Sequence, residues 1–266
     1  MQAVIHASQG AIAACFGKAA ASYQHAARLQ RQVAYQALAD LTASNTTSGP
    51  TLGKTLDLGC GPGWLHPELA PHTETLTALD FSAGMLAAAK AQGQAAHYLL
   101  ADAAAIPLAD ASINTVFSSL MLQWCPEPAQ VLHEISRVLT PGGRAVVTTL
   151  VAGTLSELQT AFAAVDQHQH VQHFLPINAL STAAEASGAS WQVYSYQLDL
   201  NYPDIFALAK ELKQLGASYI AHRGRQGLTG KGYWQQVAAA YPNASATGLT
   251  ASYQVAVLQL NKPCRD

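Results

Sequence analysis

The run Leu56-Asp57-Leu58-Gly59-Cys60-Gly61-Pro62-Gly63 constrains this chain more than any other stretch. Three glycines within five residues follow directly on an apolar run. Glycine lets a backbone enter the left-handed region and come close to a ligand with no Cβ in the way. Residues 63–69 begin a helical pattern, so the run predicts a strand, a tight turn and a helix start with free N–H groups. About 20 residues further on, Asp80 closes the next apolar run, where a carboxylate can accept both hydroxyls of a ribose.

Short apolar runs then alternate with amphipathic ones. Residues 55–58, 75–79, 96–100, 113–118 and 144–150 read as strands, and 85–92 and 128–139 as helices. Such alternation predicts a parallel sheet with helices on both faces, because parallel strands need long crossovers. Residues 11–41 read as helical and 42–54 as a linker rich in Ser, Thr and Asn. In the second half, 155–165, 178–186, 202–215 and 233–240 read as helices, and 191–200 and 251–260 as strands. The expected fold class is α/β, in one domain over 1–266. It divides into a helical cover and linker (1–54), a binding core (55–150), and lid segments with C-terminal strands (151–266).

Composition excludes several classes. Lys and Arg number 14 against 16 Asp and Glu, a net charge of −2. That is no broad electrostatic binder of nucleic acid, although a local basic patch remains open. Half of the residues are hydrophobic, enough for a sizeable core. Cys15, Cys60, Cys125 and Cys264 form no CxxC and fit no zinc or disulfide framework. They read as reduced thiols of a cytoplasmic protein. No signal peptide and no membrane span is expected. His168, His170 and His173 lack the i, i+4 spacing of a helical zinc pair, so no metal is expected.

The glycine run lacks the last glycine of a dinucleotide site and the Lys-Ser/Thr of a P-loop. Its D-x-G-x-G-x-G pattern resembles motif I of class I S-adenosylmethionine-dependent methyltransferases. The turn Leu139-Thr140-Pro141-Gly142-Gly143 before a strand is similar to theirs too. The resemblance implies a Rossmann-like, mostly parallel seven-stranded sheet with an antiparallel last strand. It also implies S-adenosyl-L-methionine as methyl donor, held by Asp57, Gly59, Gly61, Gly63, Asp80, Phe81, Asp102, Ala103 and Ser118. For Asp102 the plain alternative is a loop cap, and for Phe81 ordinary core.

Residues outside the sheet narrow the resemblance. They are Ile12 to Ala20 with Ser22-Tyr23 and Leu29-Gln30-Arg31-Gln32, and then Leu120-Met121-Leu122-Gln123-Trp124-Cys125. Val165-Asp166 to Val171, Phe174-Leu175-Pro176, and Arg223-Gly224-Arg225 to Lys231 complete the set. Together they resemble the malonyl-[acyl-carrier-protein] O-methyltransferases of biotin synthesis, from about residue 11 to 261. That family methylates the free carboxylate of malonyl on acyl-carrier protein. A carboxylate is already a nucleophile at neutral pH, so no general base and no triad is expected.

The substrate carboxylate needs donors, and arginine fits it bidentately. Arg223 and Arg225 are the candidates, with a solvated basic loop as the plain alternative and docking of an acidic carrier as another. Lys210, Lys213, His222 and Lys231 would add to that basic face. Tyr23, Gln123 and Trp124 are the other substrate-side candidates, Trp124 with core filling as its alternative. The resemblance puts Asp166 and His170 in a lid, structural or gating. The expected partner is malonyl-bearing acyl-carrier protein, with no nucleic acid and no membrane. Two further readings stay open: a methyltransferase for another small molecule such as a quinone or free acid, and an inactive cofactor- or partner-binding module. Intact Asp57, Gly59, Gly61, Asp80 and Asp102 argue against the second.

Overall fold

In the computed structural model, residues 10–18, 27–42, 51–215, 230–245 and 247–264 are described. Two helical segments, α1 (10–18) and α2 (Arg28–Thr42), precede β1 (Lys54–Leu58), α3 (His66–Leu69), β2 (Thr75–Asp80), α4 (Ala83–Gln92) and β3 (His97–Leu100). Next come β4 (Ile113–Ser119), α5 (Pro128–Val138), β5 (Leu139–Leu150), α6 (Ser156–Ala163) and α7 (Ile177–Ala186). The chain continues through β6 (Gln192–Tyr202), α8 (Ile205–Gln214), α9 (Lys231–Ala239) and β7 (Leu249–Asn261).

All seven strands join one sheet in the order β3-β2-β1-β4-β5-β7-β6. Pairings from β3 across to β5 are parallel, and β7 runs antiparallel between β5 and β6. This is the mostly parallel sheet with an antiparallel last strand. Helices cover both faces, so the central strands are apolar at successive positions and not only at alternate ones. Val116, Val147 and Leu258 face α5 through Val131, Leu132 and Ile135. Their neighbours Phe117, Val146 and Val257 pack on the opposite face with Ala34, Ala37, Leu38 and Leu41 of α2. Pro128 at the start of α5 gives up an N–H that no helix would use there. At its other end Lys262 Nζ donates to the carbonyls of Ser136 and Leu139, both at 2.7 Å.

Two expectations need correction. The stretch 11–41 is not one helix: Ala27 is non-helical, and 19–26 lie outside the described residues. The helix after the glycine turn is only α3, followed by a 3-10 turn at Ala70–His72. Pro67 and Pro71 are the reason, because proline supplies no N–H and crowds the preceding turn. Among the described residues no helix is long and apolar enough to cross a membrane.

Candidate active site

The strands β1 and β4 are neighbours, although β2 and β3 intervene in sequence. The winding reverses between them, which opens a crevice at their carboxyl ends. The glycine turn closes β1 at that crevice. Gly59 has φ +75° and Gly61 φ +55°, both left-handed. A Cβ on Gly59 would collide with the Met121 side chain, whereas one on Gly61 would meet nothing within 4 Å. The N–H groups of Gly59 and Cys60 both donate to the Leu79 carbonyl, at 2.8 and 3.0 Å, and tie the turn to β2.

Asp80, 6% exposed, ends β2 beside this turn. Its carboxylate accepts the N–H of Gly61 (2.9 Å) on one oxygen and that of Ser82 (2.8 Å) on the other. Burial pushes the carboxyl up to about 6, against the pull of these two N–H donors. Each oxygen keeps a further acceptor site.

A cavity of about 750 Å³ opens above, within the ~300–1,000 Å³ usual for small-molecule sites. Gly59, Gly61, Asp80, Phe81, Asp102 and Ala103 line one end of it. Phe81 is therefore a wall residue and not core. Asp102 serves its loop as well, because Oδ1 accepts the Ala104 N–H at 2.9 Å. Asp57, Gly63 and Ser118 do not line the cavity. Asp57 is buried against His66, Oδ2 to Nε2 at 3.0 Å. A Cβ on Gly63 would run into that His66 ring. Ser118 Oγ donates to the Leu58 carbonyl at 2.7 Å and bolts β4 to β1. These three brace the turn from below. The cavity residue is the next one, Ser119, since successive strand residues face opposite sides.

Gln123 and Trp124 also border the cavity. The Gln123 amide is occupied at both ends: it donates to the Leu120 carbonyl (2.7 Å) and accepts from the Thr149 hydroxyl (2.9 Å). It holds the turn after β4, where Leu120 has φ +52°. Trp124 meets Phe16 edge-on at 5.0 Å, which brings α1 over the site. Tyr23, His222, Arg223 and Arg225 lie outside the described residues, as does the Lys231 side chain.

The stretch after α6 forms a latch on the cavity wall. His170 Nε2 lies 2.7 Å from Asp166 Oδ1, and the Tyr233 hydroxyl donates to Asp166 Oδ2 at 2.7 Å. The His170 ring stacks on Phe162 at 4.2 Å. Burial works against the Asp166 carboxylate, but Tyr233, the His168 N–H and His170 together hold it down at about 2. Among the described residues no three metal-binding side chains are gathered, and His168 and His173 are exposed. Tyr233→Phe removes the tie between this stretch and α9. It is expected to cost about 1 kcal/mol of stability in a urea titration.

Phe162, Trp234 and Tyr253 border the cavity without having been singled out by the sequence, and Phe16 and Gln30, quoted only as parts of the stretches that carry the resemblance, border it as well. Long-range packing brings them there.

The crevice, the glycine turn and the carboxylate at the end of β2 make up a site for a nucleoside-bearing cofactor, and comparison with known proteins gives its class as that of the methyltransferases. A family model described as a methyltransferase domain matches residues 56–147, from β1 into β5. A malonyl-[acyl-carrier protein] O-methyltransferase of Serratia marcescens is 40% identical over 238 residues, covering 87% of this chain and 88% of its own. The biotin biosynthesis bifunctional protein BioHC of Cellvibrio japonicus is 40% identical over 255 residues, covering 95% of this chain and 50% of its own. The chain belongs to the malonyl-[acyl-carrier protein] O-methyltransferase family and is an S-adenosylmethionine-dependent O-methyltransferase.

Solved structures agree on the fold. The YcgJ protein of Bacillus subtilis superposes with a TM-score of 0.60 at 15% identity, over 86% of this chain and 99% of that one. Phosphoethanolamine N-methyltransferase 2 of Haemonchus contortus, solved with S-adenosyl-L-methionine, gives 0.54 at 18% identity over 93% and 57%.

Proposed function

We propose that this chain methylates the free carboxylate of a malonyl unit carried on acyl-carrier protein or coenzyme A, yielding the methyl ester that starts pimeloyl chain assembly for biotin. The observation that carries this is the lining of that cavity. It runs from the turn at Gly59 and Gly61 to an aromatic chamber, and α8 edges it with Phe206, Lys210 and Lys213. These three recur at helical spacing on one face, and all are exposed. An apolar and cationic rim suits a thioester arm delivered by an acidic partner.

The residues present fit the cofactor. Gly61 leaves room for close approach, Asp80 accepts ribose hydroxyls, and Asp102 with Ala103 and Phe81 walls an adenine. Asp57, Gly63 and Ser118 support that cradle from beneath. When bound, the cofactor supplies an electrophilic methyl on a sulfonium. Transfer to the substrate carboxylate would leave the C–S electron pair on sulfur and would require no proton movement, so the chain would need no general base. The chain's task is therefore alignment and exclusion of water. Trp124, Phe162 and Trp234 keep the chamber apolar. Gln123 fixes the turn after β4, and the latch of Asp166, His170 and Tyr233 holds the wall. To Arg223 or Arg225 we assign, from sequence, the pairing with the substrate carboxylate, and Tyr23 is their alternate.

The test is methyl transfer from labelled S-adenosylmethionine to malonyl-carrier protein, with malonyl-coenzyme A, free malonate and acetyl-carrier protein as comparisons. Malonyl-carrier protein is expected to react and acetyl-carrier protein not. Raising salt is expected to raise KM for the carrier-bound substrate more than for a small malonyl thioester. Preference for free malonate would favour a small-acid methyltransferase. Cofactor binding with no transfer to any malonyl compound would favour an inactive module.

A further inference from the structure

We propose that Nδ1 of His170 binds the carboxylate of the methyl-accepting substrate. This rests on the malonyl reading above and adds a residue to it. His170 borders the cavity, its side chain 11% exposed and its ring stacked on Phe162. Nε2 is taken up by Asp166 Oδ1 at 2.7 Å and by the Tyr233 hydroxyl at 3.0 Å. Nδ1 makes no hydrogen bond with any described residue and, unlike Nδ1 of His66, is not sealed from solvent.

The partners of Nε2 decide what Nδ1 can offer. Asp166 is ionised at neutral pH and only accepts, and the Tyr233 hydroxyl spends its proton on Asp166 Oδ2. Nε2 therefore carries a hydrogen. A neutral ring then leaves Nδ1 bare, whereas a charged ring offers a cationic N–H there. Around the ring stand Asp166 and His168 of its own stretch, Phe162 of α6 and Tyr233 of α9. Elsewhere on the cavity wall, α8 contributes Lys210, Glu211 and Lys213. The two lysines are exposed at the rim, and Glu211 already accepts from Arg28 and Tyr202. Among the described lining residues, His170 is the one group inside the rim that can become a cation.

Topology says which anion it meets. The cofactor cradle lies at the ends of β1, β2 and β3. His170 stacks on α6, which packs against β7. Between β2 and β7 lie four strand spacings, roughly 19 Å. The group arriving at His170 is therefore the second substrate. A carboxylate has acceptor sites on both oxygens, so His170 shares it with the arginine assigned above and leaves one oxygen to attack the methyl. Binding takes up one proton from water on Nδ1. Methylation turns the anion into a neutral ester, which no longer holds the charged ring, and the proton returns to water as product leaves.

Kinetics with two carrier species test this. His170→Phe keeps the ring on Phe162 and removes both nitrogens. It is expected to lower kcat/KM for malonyl-carrier protein about 30-fold. Inhibition by acetyl-carrier protein, which lacks the carboxylate, and calorimetric binding of S-adenosylhomocysteine are expected to match wild type. Full kcat/KM in the variant overturns the assignment. Equal weakening of acetyl-carrier protein overturns it, because His170 would then only shape the wall. Weaker S-adenosylhomocysteine binding in a variant folded by circular dichroism overturns it as well, since His170 would then serve the cofactor. Asp166→Asn supplies a second reading and decides alone if His170→Phe does not fold. In wild type kcat/KM is expected to fall as rising pH strips the second proton from the ring. Without the Asp166 anion that fall is expected at lower pH, and an unchanged profile overturns the proposal. A wild-type protein that binds S-adenosylhomocysteine but methylates no malonyl thioester overturns the malonyl reading, and the His170 assignment with it.

Discussion

Asp80→Ala is expected to weaken S-adenosylmethionine binding by about 1–3 kcal/mol, the scale of hydrogen bonds to a charged acceptor. The carboxylate is already desolvated and already aimed, because two backbone N–H groups hold its two oxygens. Ribose hydroxyls would therefore find a pre-placed acceptor with little ordering left to do. Only the ionised form accepts from both hydroxyls. With the carboxyl pushed up to about 6 by burial, affinity is expected to fall as pH drops through 6.

Binding near that pH should release a proton, which calorimetry in buffers of different ionisation heat detects, and Asp80→Asn should abolish the release. The same shift acts on folding with the opposite sense to a salt-bridged acid. The folded state binds this proton more tightly than the unfolded chain, whose carboxyl titrates near 3.8. The associated penalty is absent below that pH, grows between 3.8 and about 6, and is complete above it. A folded Asp80→Ala variant with unchanged cofactor affinity would sink the ribose role.

Arg137→Ala is expected to cost about 3 kcal/mol of stability, a fall of roughly 6–12 °C in Tm for a chain of this size. Glu134 is 8% exposed and accepts from the Ile106 N–H at 2.8 Å. Arg137 donates to it through Nε at 2.7 Å and Nη2 at 2.8 Å. The same guanidinium donates to the Leu108 and Ile106 carbonyls, both at 2.8 Å. This brace clamps to α5 the loop that continues from Asp102 and Ala103. Truncation strands a buried carboxylate and frees two loop carbonyls at once. Its other ion pair, to the exposed Asp110, adds little.

Arg137→Lys should recover only part of the loss, since one ammonium cannot serve that fork. The hydrogen bonds from Arg137 hold the Glu134 carboxyl below its ordinary 4.5, although burial opposes them. The brace therefore stabilises fully above pH 4.5 and is lost as pH falls below it. Thermal melts at neutral pH check the magnitude, and a loss under about 1 kcal/mol would show that the loop is held by other contacts.

What a residue's local pattern encodes is legible in the sequence. The alternation of 55–58, 75–79 and 113–118 with helical stretches marks β1, β2 and β4, because strand and helix periods differ and crossovers need length. Gly59 and Gly61 announce their turn because only glycine takes a positive φ there without strain. The short α3 is legible too, in Pro67 and Pro71, which lack the N–H groups a longer helix would use.

The site divides along the same line. Asp80, Phe81, Asp102 and Ala103 follow strand ends at predictable places, and they line the cavity. Ser118 and Ser119 are indistinguishable in sequence, yet one bolts β4 to β1 and the other faces the cavity. Strand register decides that, and register belongs to a pair of strands and not to one. Asp57 reads as a ligand contact until His66 is seen against it, and Gln123 as a substrate donor until Leu120 and Thr149 take both ends of its amide.

The sequence by itself determined the strand–turn–helix units, the glycine turn and the family, because each resides in contiguous residues or in their spacing. Only the tertiary structure decided which polar side chains serve the scaffold and which face the cavity. Those facts depend on contacts between residues far apart in the chain, and no local propensity carries them.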